Sequence, residues 1–117
     1  MTKQHTTTVK LPKSLHQKMM EQVICDGYGM RGKSKWMGEA IEDFLSLSNF
    51  PELVDIADDL ENLSEIVSLR LSDPLARDLD QAVVRVRAEY PVLEGVKSNI
   101  IRASILQRLI HPSSTIS

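Results

Sequence analysis

Cysteine, aromatic side chains and long apolar runs are all scarce in this sequence, and each scarcity narrows what the chain can be. A single cysteine, Cys25, leaves no partner for an internal disulfide, which fits a reducing compartment. Only 4% of the 117 residues are aromatic against 42% hydrophobic, so the core should be aliphatic and mainly helical. No apolar segment approaches the roughly 20 residues that span a bilayer. The opening MTKQHTTTVKLPKS lacks the apolar stretch of a secretory signal. A soluble, cytoplasmic protein without membrane contact is the expectation. His5, His16 and His111 show no metal-ligand spacing with one another or with Cys25. No paired carboxylates and no nucleophile–base arrangement stand out, so no metal, cofactor or catalytic residue is expected, and the chain is read as a non-enzyme.

Charge is unevenly spread. The net value of −2 hides two mildly basic halves, residues 1–49 and 66–117, each with seven Lys/Arg against five Asp/Glu. Between them FPELVDIADDLENLSE (50–65) holds six acidic groups and no basic ones. This segment reads as a solvated, partly helical tether, with Leu53, Ile56, Ala57, Leu60 and Leu63 at helical spacing after Pro51.

The two basic halves share one design. TTTVKLPKSL (6–15) and IVSLRLSDPL (66–75) each alternate and then reach a helix-start signal. Side chains alternate across a strand, so Val9 and Leu11 face one way while Thr6, Thr8 and Lys10 face the other. In the second stretch Val67, Leu69 and Leu71 oppose Ile66, Ser68 and Arg70. Ser72–Asp73–Pro74 supplies a capping residue and a first-turn proline. Helical stripes follow: Leu15, Met19, Val23 and Ile24, ended by Gly27 and Gly29; then Leu75, Leu79, Val83, Val86 and Tyr90, stopped by Pro91. KSKWMGEAIEDFL (33–45) and KSNIIRASILQRL (97–109) begin second helices with broad apolar faces. Trp36 and the Met19–Met20 pair read as core. The strands are offset by 60 positions and the second helices by 64. A lone strand leaves its backbone groups unpaired, so each stretch needs the other as its antiparallel partner. The expected architecture is mostly α with a two-stranded antiparallel ribbon, two repeats forming one domain about a pseudo-twofold. Residues 1–49 and 66–111 are the repeats, 50–65 the connector and 112–117 a tail.

The stretch GYGMRGKS (27–34) matches a phosphate-cradling P-loop letter for letter. Such a loop follows a buried strand and opens a helix within a parallel sheet. Here Leu15 to Ile24 have helical periodicity and no set of strands is available for that sheet. The stretch reads instead as a turn between helices, with basic residues at a helix N-terminus.

TVKLP with its helix and GKSKWMGEAI, then VSLRLS with its helix and GVKSNIIRASI, resemble the ribbon-helix-helix superfamily of the Arc and MetJ repressor type. The likeness covers nearly the whole chain except the connector and the tail after His111. A fused pair is similar to the tandem proteins of the TraY kind, which assist plasmid conjugation. Two departures stand out: Gly32 and Val96 occupy turns where the family commonly carries Ser or Thr, and Thr7 is a polar inward residue expected to fray the first strand. The resemblance implies a ribbon inserted in the major groove of double-stranded DNA. Thr6, Thr8, Lys10, Ser68 and Arg70 would then contact bases, and Ile66 would make apolar contact or pack at the edge. Lys3, Arg31, Lys33, Ser34, Lys35, Lys97 and Ser98 would hold phosphates. Because the outward residues of the two strands differ, the target should be asymmetric. Repressor and conjugation (relaxosome) accessory protein both fit. An antitoxin-like interaction module is the alternative, a P-loop nucleotide binder the remote one. Self-association on adjacent sites and a relaxosome or toxin partner stay open.

Overall fold

The chain was analysed as a computed structural model, which describes residues 4–29, 31–57 and 60–110. Two strands, β1 (Gln4–Leu11) and β2 (Glu65–Ser72), pair antiparallel from Gln4↔Ser72 to Leu11↔Glu65. Among the described residues five helices accompany them: α1 (Lys13–Cys25), α2 (Lys33–Leu45), α3 (Phe50–Leu53), α4 (Asp73–Glu89) and α5 (Val96–Ile110). A 3-10 turn, Val54–Ala57, follows α3. One face of the ribbon, with Val9, Leu11, Val67, Leu69 and Leu71 all buried, closes against the helices in a single hydrophobic core. Each such side chain contributes about 1.5–3 kcal/mol on full burial. The polar face of the ribbon is thereby left to solvent.

The start and stop signals act as their chemistry dictates. The Ser72 hydroxyl accepts from the Leu75 main-chain N–H at 3.3 Å, and Pro74 occupies the first turn of α4, where no donor is needed. At the end of α1, Gly27 adopts φ +84°, a conformation open to glycine at little cost. Asp26 then links the two helices around the turn. Its carboxylate accepts from Gln22 Nε2 and from Trp36 Nε1, both at 2.8 Å.

α5 is the central element. Every residue from Asn99 to Ile105 is buried, because α1, α2, α4, β1 and the 3-10 turn all pack against it. An apolar stripe on one face would not suffice for a helix so enclosed. The buried polar members pair inward: Arg102 Nη2 donates to Asn99 Oδ1 at 2.7 Å, and the Ser104 hydroxyl donates to the Ile100 carbonyl at 2.7 Å.

Several expectations need correction. Segment 50–65 is more than a solvated tether: Phe50, Pro51, Val54 and Ala57 are buried, and the Phe44 and Phe50 rings lie 6.0 Å apart. Phe50, Val54 and Ala57 reach the core although the segment is rich in carboxylates, so charge content alone is a poor guide to its place in the fold. Ile24 is 55% exposed, since it lies one residue past the Leu15–Met19–Val23 row. In α4 the buried row is Leu75, Leu79, Ala82 and Val86, with Val83 and Tyr90 only half-buried. Thr7 does not fray β1, which stays paired back to Gln4. The tail 112–117 and His111 lie outside the described residues.

Candidate nucleic-acid interface

Three cross-strand pairs form the exposed face of the ribbon: Thr6↔Arg70, Thr8↔Ser68 and Lys10↔Ile66, all six residues exposed. Their main-chain geometry follows from two contacts. The Arg70 N–H points away from β1 and donates to the Ser34 hydroxyl at 3.0 Å. The Lys10 carbonyl points away from β2 and accepts from Arg102 Nη1 at 2.9 Å. In an antiparallel ladder such residues belong to the narrow, non-hydrogen-bonded pairs, with Cα atoms about 4.5 Å apart. The outward side chains therefore stand close together across the ribbon. Each of its cationic positions has its backbone held by a neighbouring helix.

One open groove of about 970 Å3 joins this face to the start of α2. Thr6, Ser68 and Arg70 line it from the ribbon; Arg31, Lys33, Ser34 and Lys35 line it from the turn and helix. Gln4 and Leu69 complete the wall, so among the described residues no carboxylate lines it. The first turn of α2 also holds no acidic residue, and its free N–H groups carry the positive end of the helix dipole. Four cations and a helix N-terminus together make a field that favours an anion.

The basic turn is fixed from beneath. Tyr28 hydrogen bonds through its hydroxyl to Glu39, and Arg108 Nη2 reaches the same hydroxyl at 3.1 Å. Arg108 also donates to the Trp36 carbonyl at 3.0 Å and lies 4.9 Å from the Trp36 ring centroid. The bond to Glu39, with partial desolvation, raises the Tyr28 pKa above its ordinary value of 10.0. Lys35 Nζ sits 5.9 Å from the centroid of the Tyr28 ring. Gly32 closes the turn: a Cβ there would fall 2.3 Å from the Tyr28 carbonyl oxygen.

A second groove at the same end of the ribbon differs in charge. Lys97 is exposed in a separate groove with His5, Asp73, Arg77 and Asp80, while Ser98 is half-buried beside it in the first turn of α5. His5 Nε2 and Asp73 Oδ1 are 2.8 Å apart, and Arg77 Nη2 lies 2.6 Å from Asp73 Oδ2. The His5 hydrogen bond, helped by the Arg77 charge, holds the Asp73 carboxyl below the usual carboxylate range. Lys97 is thus flanked by carboxylates, unlike Lys33.

Of the residues singled out from sequence, Thr6, Arg31, Lys33, Ser34, Lys35, Ser68 and Arg70 come together in one groove. Thr8 and Lys10 continue the ribbon face, Lys97 and Ser98 stand apart, and Lys3 lies outside the described residues. Sequence reasoning missed Arg102, Tyr28, Glu39 and Arg108. An arginine within NIIRASIL was the available sign, since a cation inside so apolar a run needs a buried partner. The P-loop match is resolved by α1, a helix, preceding GYGMRGKS where that site requires a strand. Among the described residues, no group of three or more His, Cys, Asp or Glu is placed to hold a metal ion, and no helix is long and apolar enough to cross a membrane. Comparison with protein-family models, with curated proteins and with solved structures returned no match.

Proposed function

We propose that this chain binds double-stranded DNA sequence-specifically by laying its ribbon in the major groove. The observation that carries the reading is the continuous surface made by the ribbon's polar face and the basic start of α2, with no carboxylate among the groove's lining residues. From Thr6 to Lys10 the outward face spans about 14 Å at 3.4 Å per residue, a scale comparable with the roughly 12 Å groove. Arg70 would take guanine O6 and N7 bidentately and Lys10 as a point donor, with Thr8 and Ser68 between them and Thr6 at a thymine methyl. Arg31, Lys33, Lys35 and the N–H groups of α2 would hold the phosphate backbone on one side, Lys97 and Ser98 on the other. The Ser34 hydroxyl oxygen already accepts from Arg70, which leaves its proton free to donate to a phosphate.

The ribbon-helix-helix resemblance supports this reading, and so does the register. A strand followed by two long helices occurs twice in the element order. Thr8 pairs with Ser68, and these are equivalent positions at the offset of 60, so a local twofold would pass between them. On this reading residues 1–49 and 66–111 are the two repeats of a single-chain, pseudo-twofold binder, with 50–65 between them. The unequal ends of the ribbon favour an asymmetric target. The role is that of a cytoplasmic repressor or a conjugation accessory protein, and not an enzyme. Selection of bound duplexes from a random pool tests the proposal. Enrichment of one asymmetric site is expected, and a pool that stays random would overturn it.

A further inference from the structure

Ile66 is the one apolar side chain on the outward face of the ribbon, 70% exposed among threonines, a serine and two cations. None of the other five outward residues is an apolar type, and at 70% exposure most of the Ile66 side chain remains in water in the free protein. We infer that Ile66 is a specificity-determining residue that reads the C5-methyl group of a thymine beside the base approached by Lys10. The inference rests on the DNA reading above and extends it to a base and an atom.

The geometry supports the pairing of these two residues. Lys10 and Ile66 face each other in a narrow pair, so their side chains leave the ribbon side by side and address neighbouring groups in one groove. The Lys10 main chain is anchored by Arg102, itself bonded to Asn99 within the core, so the pair is presented on a fixed backbone. In the major groove the thymine methyl is the apolar feature among hydrogen-bonding edges. A lysine beside an isoleucine therefore suits a guanine next to a thymine, whereas an isoleucine beside an unpaired base polar group would leave that group desolvated. The opposite end carries Thr6 against Arg70, with one methyl and a hydroxyl in place of two apolar branches. This difference adds to the expected asymmetry of the site.

The test uses the intact chain and the selected duplex, with each thymine replaced singly by uracil, which removes only the methyl. One replacement should weaken binding about fourfold, the fold-change for burying one methyl-sized group. It should lie next to the guanine whose preference shifts in Lys10→Arg. Ile66→Ser should abolish that uracil penalty and leave all others unchanged, while Ile66→Val should retain it; the thermal melts of both variants report their folding. Site-specific binding with a flat uracil scan, or a penalty that survives in folded Ile66→Ser, overturns the role of Ile66 and leaves the DNA reading standing. Failure to enrich any duplex overturns both.

Discussion

The main-chain N–H of Arg70 donates to the side-chain hydroxyl of Ser34 at 3.0 Å, across 36 positions of sequence. It ties the edge of β2 to the first turn of α2, so the candidate base-reading and phosphate-holding groups share one rigid frame. Ser34→Ala removes the acceptor at an exposed place where water substitutes. A stability loss of about 0.5–1 kcal/mol by urea denaturation is expected, together with weaker duplex binding, and Ser34→Thr should restore both. Equal binding by Ser34→Ala would separate the frame from function.

The other strand is held by a buried cation. Arg102, 7% exposed, reaches the Lys10 carbonyl at 2.9 Å and Asn99 at 2.7 Å. Arg102→Ala removes a donor from both acceptors and leaves a cavity, so it should cost about 2–4 kcal/mol. A denaturation midpoint near that of the wild type would show that the contact is not maintained in solution.

Two glycines make opposite predictions. A Cβ on Gly32 would meet Tyr28 backbone oxygen at 2.3 Å, whereas one on Gly38 meets only Leu75 Cδ2 at 3.5 Å. Gly32→Ala should destabilise by about 1–3 kcal/mol through forced displacement of the turn. Gly38→Ala, inside α2, should be neutral or stabilising by up to about 1 kcal/mol. Thermal melts of the two variants compare them directly, and equal tolerance would contradict this shape for the turn.

Tyr28 should ionise above its ordinary value because its protonated hydroxyl is bonded to Glu39. The stabilisation from that bond is complete below the unfolded-state pKa of about 10 and is lost as pH rises through the elevated folded value. Alkaline absorbance titration should show one tyrosine late, and Glu39→Ala should bring it down. A titration unchanged by Glu39→Ala would count against the network.

The parts of the fold governed by short-range periodicity could be read from residues alone. Alternation placed Val9, Leu11, Val67, Leu69 and Leu71 inward, and all five are buried. Ser72 and Pro74 marked the start of α4 through chemistry that acts within three residues. The contacts that build the site act over long separations and had no such signal. Ser34 meets Arg70, Arg102 meets Lys10 across 92 positions, and Arg108 meets Tyr28 across 80. Whether Phe50, Val54 and Ala57 find a core likewise depends on where the rest of the chain lies, which no local pattern encodes. The difference between the surroundings of Lys33 and Lys97 is likewise tertiary, since Asp73 and Asp80 are brought to Lys97 by folding.

Arg70 is the sharpest probe of the proposal that the outward face of the ribbon reads duplex DNA. The measurement is the affinity of wild type and Arg70→Ala for the selected duplex and for a scrambled one, each at two salt concentrations. The wild type should lose affinity for both duplexes as salt rises, as ion release requires. Arg70→Ala should shrink the ratio between the two duplexes by roughly 5- to 150-fold, equivalent to about 1–3 kcal/mol for a bidentate arginine–guanine contact. A ratio unchanged by Arg70→Ala, or binding indifferent to salt, would show that this face does not read duplex DNA.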